Sequence, residues 1–341
     1  MLAQFHGMCR RQAPAIRAAW PLPQSGTAAT MAAMDSSPAA PRPRAAFALA
    51  ALASVTWGLL PLAIGLLVPQ VTGYTLTFLR FGVAALVVGA WLAARGQLPD
   101  PRRLDPRLRW LLAVAVLGLC TNYVCFVFGV QLASPAIAQV VTQLSNLFML
   151  LGGLVIYRER FTRLQWLGFA LLVTGLALFF NHRLPLLFRG GSTLGLGVGL
   201  VTFGSLAWAG YGLIQKRLLR EFDSTQVLWL LYVGGALLLA PLARPSQVLP
   251  LGTLQHWALA FCILNTLVGY GAYAAAMRLG EVARVSATVT TAPLFTLLAG
   301  ALATRWAPAL ADVEAPNALA VLGACAVVAG CGLCALARPK A

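Results

Sequence analysis

Gln139, Thr142, Gln143 and Asn146 recur three or four positions apart within an otherwise apolar stretch. On a helix that spacing puts them on one face, with Ser145 at its edge. Lipid offers such groups no partner, so the stripe must meet either another helix or a watery space. Interhelical hydrogen bonds average about 0.6 kcal/mol each, and four polar groups on one face exceed what that role needs. Gln139, Gln143 and Asn146 therefore become candidates for contact with a solute. The corresponding positions late in the chain are Ser286, Val289, Thr290 and Pro293, a smaller and less polar face. Thr290 joins the candidate contacts, and Pro293, which lacks the N–H of a helical rung, is a candidate hinge for gating.

Arg80 is the clear charge inside an apolar stretch. Two roles fit it: binding a substrate carboxylate, or reaching out to the headgroups. Most of Trp57, Asn122, Tyr123, Trp208, Asn265, Tyr270 and Tyr273 lie roughly eight to fourteen residues into stretches of about 20. That is too deep for most of them to be interfacial anchors. They either pack between helices or line a path. A path lined by them would be neutral, aromatic and amide-bearing. It would suit zwitterionic or amphipathic organic solutes better than metal ions or inorganic phosphate.

All nine acidic residues lie outside the apolar cores, so the carboxylate relay that usually couples transport to protons is missing. His6, His182 and His256 are scattered, which argues against a membrane-embedded enzyme; that class and a non-transporting scaffold are the alternatives to a transporter. Cys331 and Cys334 have CxxC spacing but no second pair or neighbouring His, so they read as small packing residues. The run Gly190, Gly191, Gly195, Gly197 and Gly199 has neither dinucleotide nor Walker A spacing. Neither a cofactor nor a metal is expected.

The elements that position these residues are apolar runs. Hydrophobic residues make up 60% of the 341, and mean hydropathy is +0.80. A bilayer crossing takes about 20 apolar residues, and ten runs qualify: 46–68, 74–94, 109–130, 135–156, 163–180, 194–215, 225–243, 254–277, 282–304 and 317–337. The expected fold is an all-α integral membrane protein with ten transmembrane helices. The formal charge of +16 sits in short loops and forms no basic helical face, so nucleic acid is not an expected partner. If the N-terminus is inside, only Arg183, Arg189, Arg244 and Arg305 fall outside and twenty basic residues fall inside. The bias predicts cytoplasmic N- and C-termini. Residues 1–45 read as a disordered cytoplasmic tail without a signal-peptide core, and Met34 is a second candidate start.

The chain also repeats itself. Trp57 and Phe81 match Trp208 and Tyr232 at an offset of 151. Trp110, Tyr123, Leu147, Phe148 and Gly153 match Trp257, Tyr270, Leu294, Phe295 and Gly300 at 147. Five spans per copy is an odd number, so the second copy enters the membrane inverted, and the copies share a pseudo-two-fold axis in its plane. Such repeats favour alternating access over a fixed pore.

Ser54-Val-Thr-Trp-Gly-Leu-Leu-Pro61 in the first run, Phe78-Leu-Arg-Phe81 in the second, and Ala133-Ser-Pro-Ala-Ile-Ala-Gln-Val140 through Arg158-Glu-Arg160 to Gln165-Trp-Leu-Gly168 resemble the EamA family of the drug/metabolite transporter superfamily. The resemblance covers about residues 46–337. It implies five-helix repeats at 46–180 and 194–337, and a secondary transporter, commonly an exporter of amino acids or other small metabolites. The central cavity would be lined by the first, third, fourth, sixth, eighth and ninth spans. The second copy departs from the pattern at Arg305-Trp306, where an insertion at 307–316 carries Asp312 and Glu314. Arg outnumbers Lys 23 to 2, which points to a GC-rich bacterial genome. The expected setting is a bacterial inner membrane, with a small-molecule substrate and the lipid bilayer as partners, in a monomer or homodimer.

Overall fold

The computed structural model describes residues 42–100, 105–157, 162–181, 185, 192–306 and 317–336. Most of the tail, Glu159 and the insertion at 307–316 lie outside the described residues. In chain order the helices are α1 (Pro43–Leu67), α2 (Gly73–Ala94), α3 (Pro106–Leu132), α4 (Pro135–Val141), α5 (Leu144–Tyr157) and α6 (Arg163–Phe180). There follow α7 (Thr193–Leu218), α8 (Ser224–Leu239), α9 (Thr253–Leu279), α10 (Val282–Val289), α11 (Ala292–Trp306) and α12 (Ala318–Leu336). Among the described residues nine stretches are long and apolar enough to cross a membrane, with most of α10 and α11 counted together. α4 and α5 occupy the remaining expected span. The protein is an all-α membrane protein of ten spans in two inverted repeats.

Side-chain caps explain where several spans begin. Asp105 accepts from the Leu108 N–H at 2.6 Å and Pro106 opens α3, so that helix starts three residues before the expected Arg109. Thr162 and Gln165 form a reciprocal capping box before α6. Ser192 accepts from the Gly195 N–H at 2.9 Å before α7.

The fourth and ninth spans differ from expectation, because each is two helices rather than one. Between α4 and α5 the backbone tightens to bonds three residues apart. Gln143 N donates to Val140 O at 3.2 Å, and Asn146 N to Gln143 O at 3.0 Å. Between α10 and α11, Thr291 N donates to Thr288 O and Leu294 N to Thr291 O, at 3.2 and 2.9 Å. In the second break the cause is visible. The hydroxyls of Thr288, Thr290 and Thr291 each bond back to a carbonyl one turn earlier, at 2.7–2.8 Å, which loosens a helix. Pro293 then falls in the first turn of α11, where no N–H is required.

The most extensive helix pairings all join one repeat to the other: α6 with α12, α3 with α7, α1 with α9, and α2 with α8. Inversion exchanges α3–α7 with α1–α9 and maps each of the other two pairs onto itself. Where α6 crosses α12, glycines let the backbones meet. A Cβ on Gly168 would lie 2.7 Å from Gly330 O, and one on Gly175 2.7 Å from Gly323 O. Gly168 and Gly323 are 155 positions apart, as are Gly175 and Gly330. The last spans are therefore repeats of each other too, with the eight extra positions beyond 147 taken up before α12. Trp110 and Trp257, equivalent at the starts of α3 and α9, are 70% and 72% exposed, as membrane-interface anchors are.

Candidate substrate site

The motif that opens the first repeat is spent almost entirely on the second. Ser54 Oγ shares a hydrogen bond with Thr291 Oγ1 at 2.9 Å, at the break of the ninth span. Thr56 O accepts from Asn265 Nδ2 at 2.7 Å. Gly58 O accepts from Thr296 Oγ1 at 2.6 Å, and a Cβ on Gly58 would come within 2.6 Å of Ala292 O. α1 is thus bonded to α9 and to both sides of the α10–α11 break. Its copy in the second repeat behaves differently, since Ser205 Oγ donates to Val201 O of its own helix at 2.8 Å.

Trp57, left between those anchors, faces the centre. Its ring lies 5.3 Å from that of Tyr270 and 5.5 Å from that of Tyr273. Trp208, its counterpart, lies 6.4 Å from Tyr270 and 5.2 Å from Tyr211. Tyr123 OH donates to Tyr270 OH at 2.8 Å. Tilted and edge contacts at these separations contribute about 0.5–1.5 kcal/mol each beyond the area they bury. Tyr123 and Tyr273 are buried, while Trp57, Trp208 and Tyr270 keep part of their surface open. A polar-edged aromatic surface at the junction of the repeats can stack on an apolar or cationic group and hydrogen-bond a polar one.

Arg80 lies against this cluster and does not reach for the headgroups. It is 2% exposed. Its Nε donates to Thr266 Oγ1 of α9 at 3.0 Å, and its Cζ lies 4.7 Å from the centre of the Tyr123 ring. Thr266 in turn donates to Cys262 O at 3.2 Å. Among the described residues no carboxylate comes within ion-pair distance of the guanidinium; the ion pair seen, Arg284 with Glu281 at 2.8 Å, is exposed. A charge in the middle of a span costs about 2.5–3.5 kcal/mol, and one hydrogen bond and one ring offset only part of that.

The amide candidates divide into groups. Asn122 Nδ2 donates to Gly204 O at 3.0 Å, tying α3 to α7 as Asn265 ties α9 to α1. Gln139 is buried on α4, the short helix that packs against α1, α3, α7 and α11. Gln143 Oε1 accepts from Asn146 Nδ2 at 2.9 Å, and Asn146 also lies beside Cys331 of α12. Because the break passes through Thr142 and Gln143, the expected stripe is not one continuous helical face. Thr290 spends its hydroxyl on Ala287 O. Trp57, Arg80, Tyr123, Trp208, Tyr270 and Tyr273 therefore form one cluster, and Gln143 with Asn146 form a separate pair at the first break.

Ser54, Thr266, Thr291 and Thr296 hold this arrangement together and were not among the sequence candidates. Single hydroxyls in apolar helices carry little signal, and only Ser54, inside the motif, had one. Among the described residues no group of three or more His, Cys, Asp or Glu side chains gathers to hold a metal. Cys331 and Cys334 are unpaired.

Comparison with known proteins agrees with this architecture. The model of the EamA-like transporter family matches residues 44–181 and again 195–335. The chain is 36% identical over 297 residues to an uncharacterized transporter of Haemophilus influenzae, covering 86% of this chain and 96% of that protein. It is 39% identical over 287 residues to the uncharacterized inner membrane transporter YhbE of Escherichia coli, covering 83% and 88%. A solved crystal structure at 21% identity superposes with a TM-score of 0.59 over 86% of this chain and 98% of its own, a likeness of fold. The chain is a multi-pass membrane transporter and belongs to the EamA-like transporter family.

Proposed function

We propose that the protein exports small organic metabolites, amino acids or related zwitterionic and amphipathic solutes, by alternating access. The observation that carries this reading is the Trp57–Tyr270–Trp208 surface with its Tyr123–Tyr270 hydroxyl bond, built from both repeats where they meet. A site on the pseudo-two-fold axis can be offered to either side as one repeat rocks against the other. The solute contacts Trp57, Trp208, Tyr270 and Tyr273 through its apolar part. Tyr123, Asn122, Gln139, Gln143, Asn146 and Thr290 supply hydroxyls and amides. The breaks at 142–143 and 290–291, with Pro293 beside the second, serve as hinges.

The chain lies in a bacterial inner membrane, as the name of the Escherichia coli relative suggests. Both termini are cytoplasmic, following the distribution of basic loops. The tail at 1–45 precedes repeats at 46–180 and 194–337, and the unit is a monomer or homodimer working without a cofactor. The test is untargeted mass spectrometry of medium and cytoplasm from bacteria carrying the wild type, Trp57→Ala or empty vector. A solute that accumulates outside with the wild type alone supports export and names its class. Coinciding profiles in rich and stressed media count against it.

A further inference from the structure

We infer that Arg80 is a carboxylate-binding group and that the solutes this protein carries share a carboxylate. The inference deepens, and rests on, the reading of the aromatic centre as the transport site.

Arg80 projects from α2, yet it is held by the other repeat through Thr266 of α9. It is 98% removed from solvent, so the headgroups cannot neutralise it. None of the chain's nine acidic residues lies in the core of a span, and among the described residues no carboxylate reaches it. A buried guanidinium needs an anion. The protein supplies an oriented site and leaves the anion to be provided from outside.

The geometry also selects the kind of anion. The Nε–H is committed to Thr266, and the Tyr123 ring lies 4.7 Å from Cζ. What remains is the outer edge of the guanidinium plane, the two Nη groups side by side. Two parallel N–H donors match the two oxygens of a carboxylate, and this planar, bidentate recognition is what distinguishes Arg from Lys. Tyr123 links the charge to the solute surface, because its ring contacts Arg80 while its hydroxyl bonds Tyr270, whose ring meets that of Trp57 edge-on. A solute with a carboxylate at one end and an apolar or cationic portion at the other is matched along that line.

The full chain purified in detergent is titrated with the twenty common amino acids and a set of C4–C8 monocarboxylates. Each is compared with its own carboxamide, and sodium chloride serves as the inorganic arm. At least one acid binds about tenfold or more tightly than its amide. Arg80→Gln abolishes the difference, and Arg80→Lys keeps a reduced part of it. The inference is overturned if no acid binds, if acid and amide bind alike in every pair, or if Arg80→Gln retains the preference. It is also overturned if chloride saturates the site and no acid competes. Should Arg80→Gln fail to fold, the acid–amide comparison on wild type and Arg80→Lys decides the matter. Exchange in proteoliposomes separates this from the transport reading. An acid that binds but does not exchange defeats transport and leaves the carboxylate site standing. Exchange confined to solutes without a carboxylate does the reverse.

Discussion

Tyr123 and Tyr270, equivalent residues 147 positions apart, meet hydroxyl to hydroxyl at 2.8 Å. Phe81 and Tyr232, equivalent at an offset of 151, meet ring to ring at 5.5 Å. A residue touches its own counterpart only where the axis relating the repeats passes between them. These two contacts therefore mark that axis inside the molecule. The phenol pair joins the repeats directly, so any rocking of one against the other must strain or break it. Tyr123→Phe and Tyr270→Phe each lose one bond, about 0.6 kcal/mol for an interhelical pair in a membrane. The double variant is expected to lose little more than either single one. Thermal denaturation of the detergent-purified proteins measures this, and additive losses would show that the two hydroxyls act separately.

Asn122 and Asn265 each donate to a backbone carbonyl of the other repeat. Replacing either with Ala removes one interhelical bond, at a cost of about 0.6 kcal/mol on average in a membrane. Melting temperature and folded yield are expected to fall with either, while the apparent affinity for solute changes little with Asn265→Ala. Trp208→Ala is expected to show the opposite pattern, with transport affinity weakened at least about tenfold. Parallel melting and uptake measurements on the three variants distinguish the two roles.

Gly168 and Gly175 sit where a Cβ would strike the backbone of α12, whereas a Cβ on Gly332 would meet nothing within 4 Å. Overpacking at such contacts costs about 1–3 kcal/mol or more. Gly168→Leu and Gly175→Leu are expected to lose most of the folded protein on size-exclusion chromatography, and Gly332→Leu to elute like the wild type. Normal elution of the first two would mean that α6 and α12 can separate freely.

Pro293 opens α11 rather than interrupting it. Pro293→Ala adds an N–H that the first turn does not need, so the melting temperature is expected to shift by no more than a few degrees. If the break is a hinge, the maximal transport rate falls several-fold with affinity unchanged. Unchanged turnover would assign the break to packing alone.

A reporter fused after α12 tests orientation. A cytoplasm-dependent fluorescent reporter is expected to be active there and an export-dependent phosphatase inactive. The reverse pattern would invert every loop assignment.

Hydropathy exposed the spans because membrane insertion demands continuous apolar length, the matched aromatic and Leu-Phe positions exposed the repeat, and a count of five per copy implies inversion. The first break was not legible. Residues at 139, 142, 143 and 146 fit a continuous helix as well as a pinched one, and neither Pro nor Gly marks the junction. Pro293 did mark the second break, though the bonds that loosen it come from threonine hydroxyls. Arg80 stood out as a charge, but whether it turned outward or inward depended on Thr266, nearly 200 positions away. The glycine contacts between α6 and α12 were obscured because the insertion before α12 shifts the repeat from 147 to 155.

The measurement that bears most directly on the account is counterflow in proteoliposomes, using the solute identified in the medium of expressing cells. With solute inside, uptake of labelled solute is expected to saturate, to be faster than into empty vesicles, and to fall sharply with Trp57→Ala. Uptake that rises linearly with concentration, is indifferent to solute on the far side and persists in that variant would contradict alternating access through the aromatic centre.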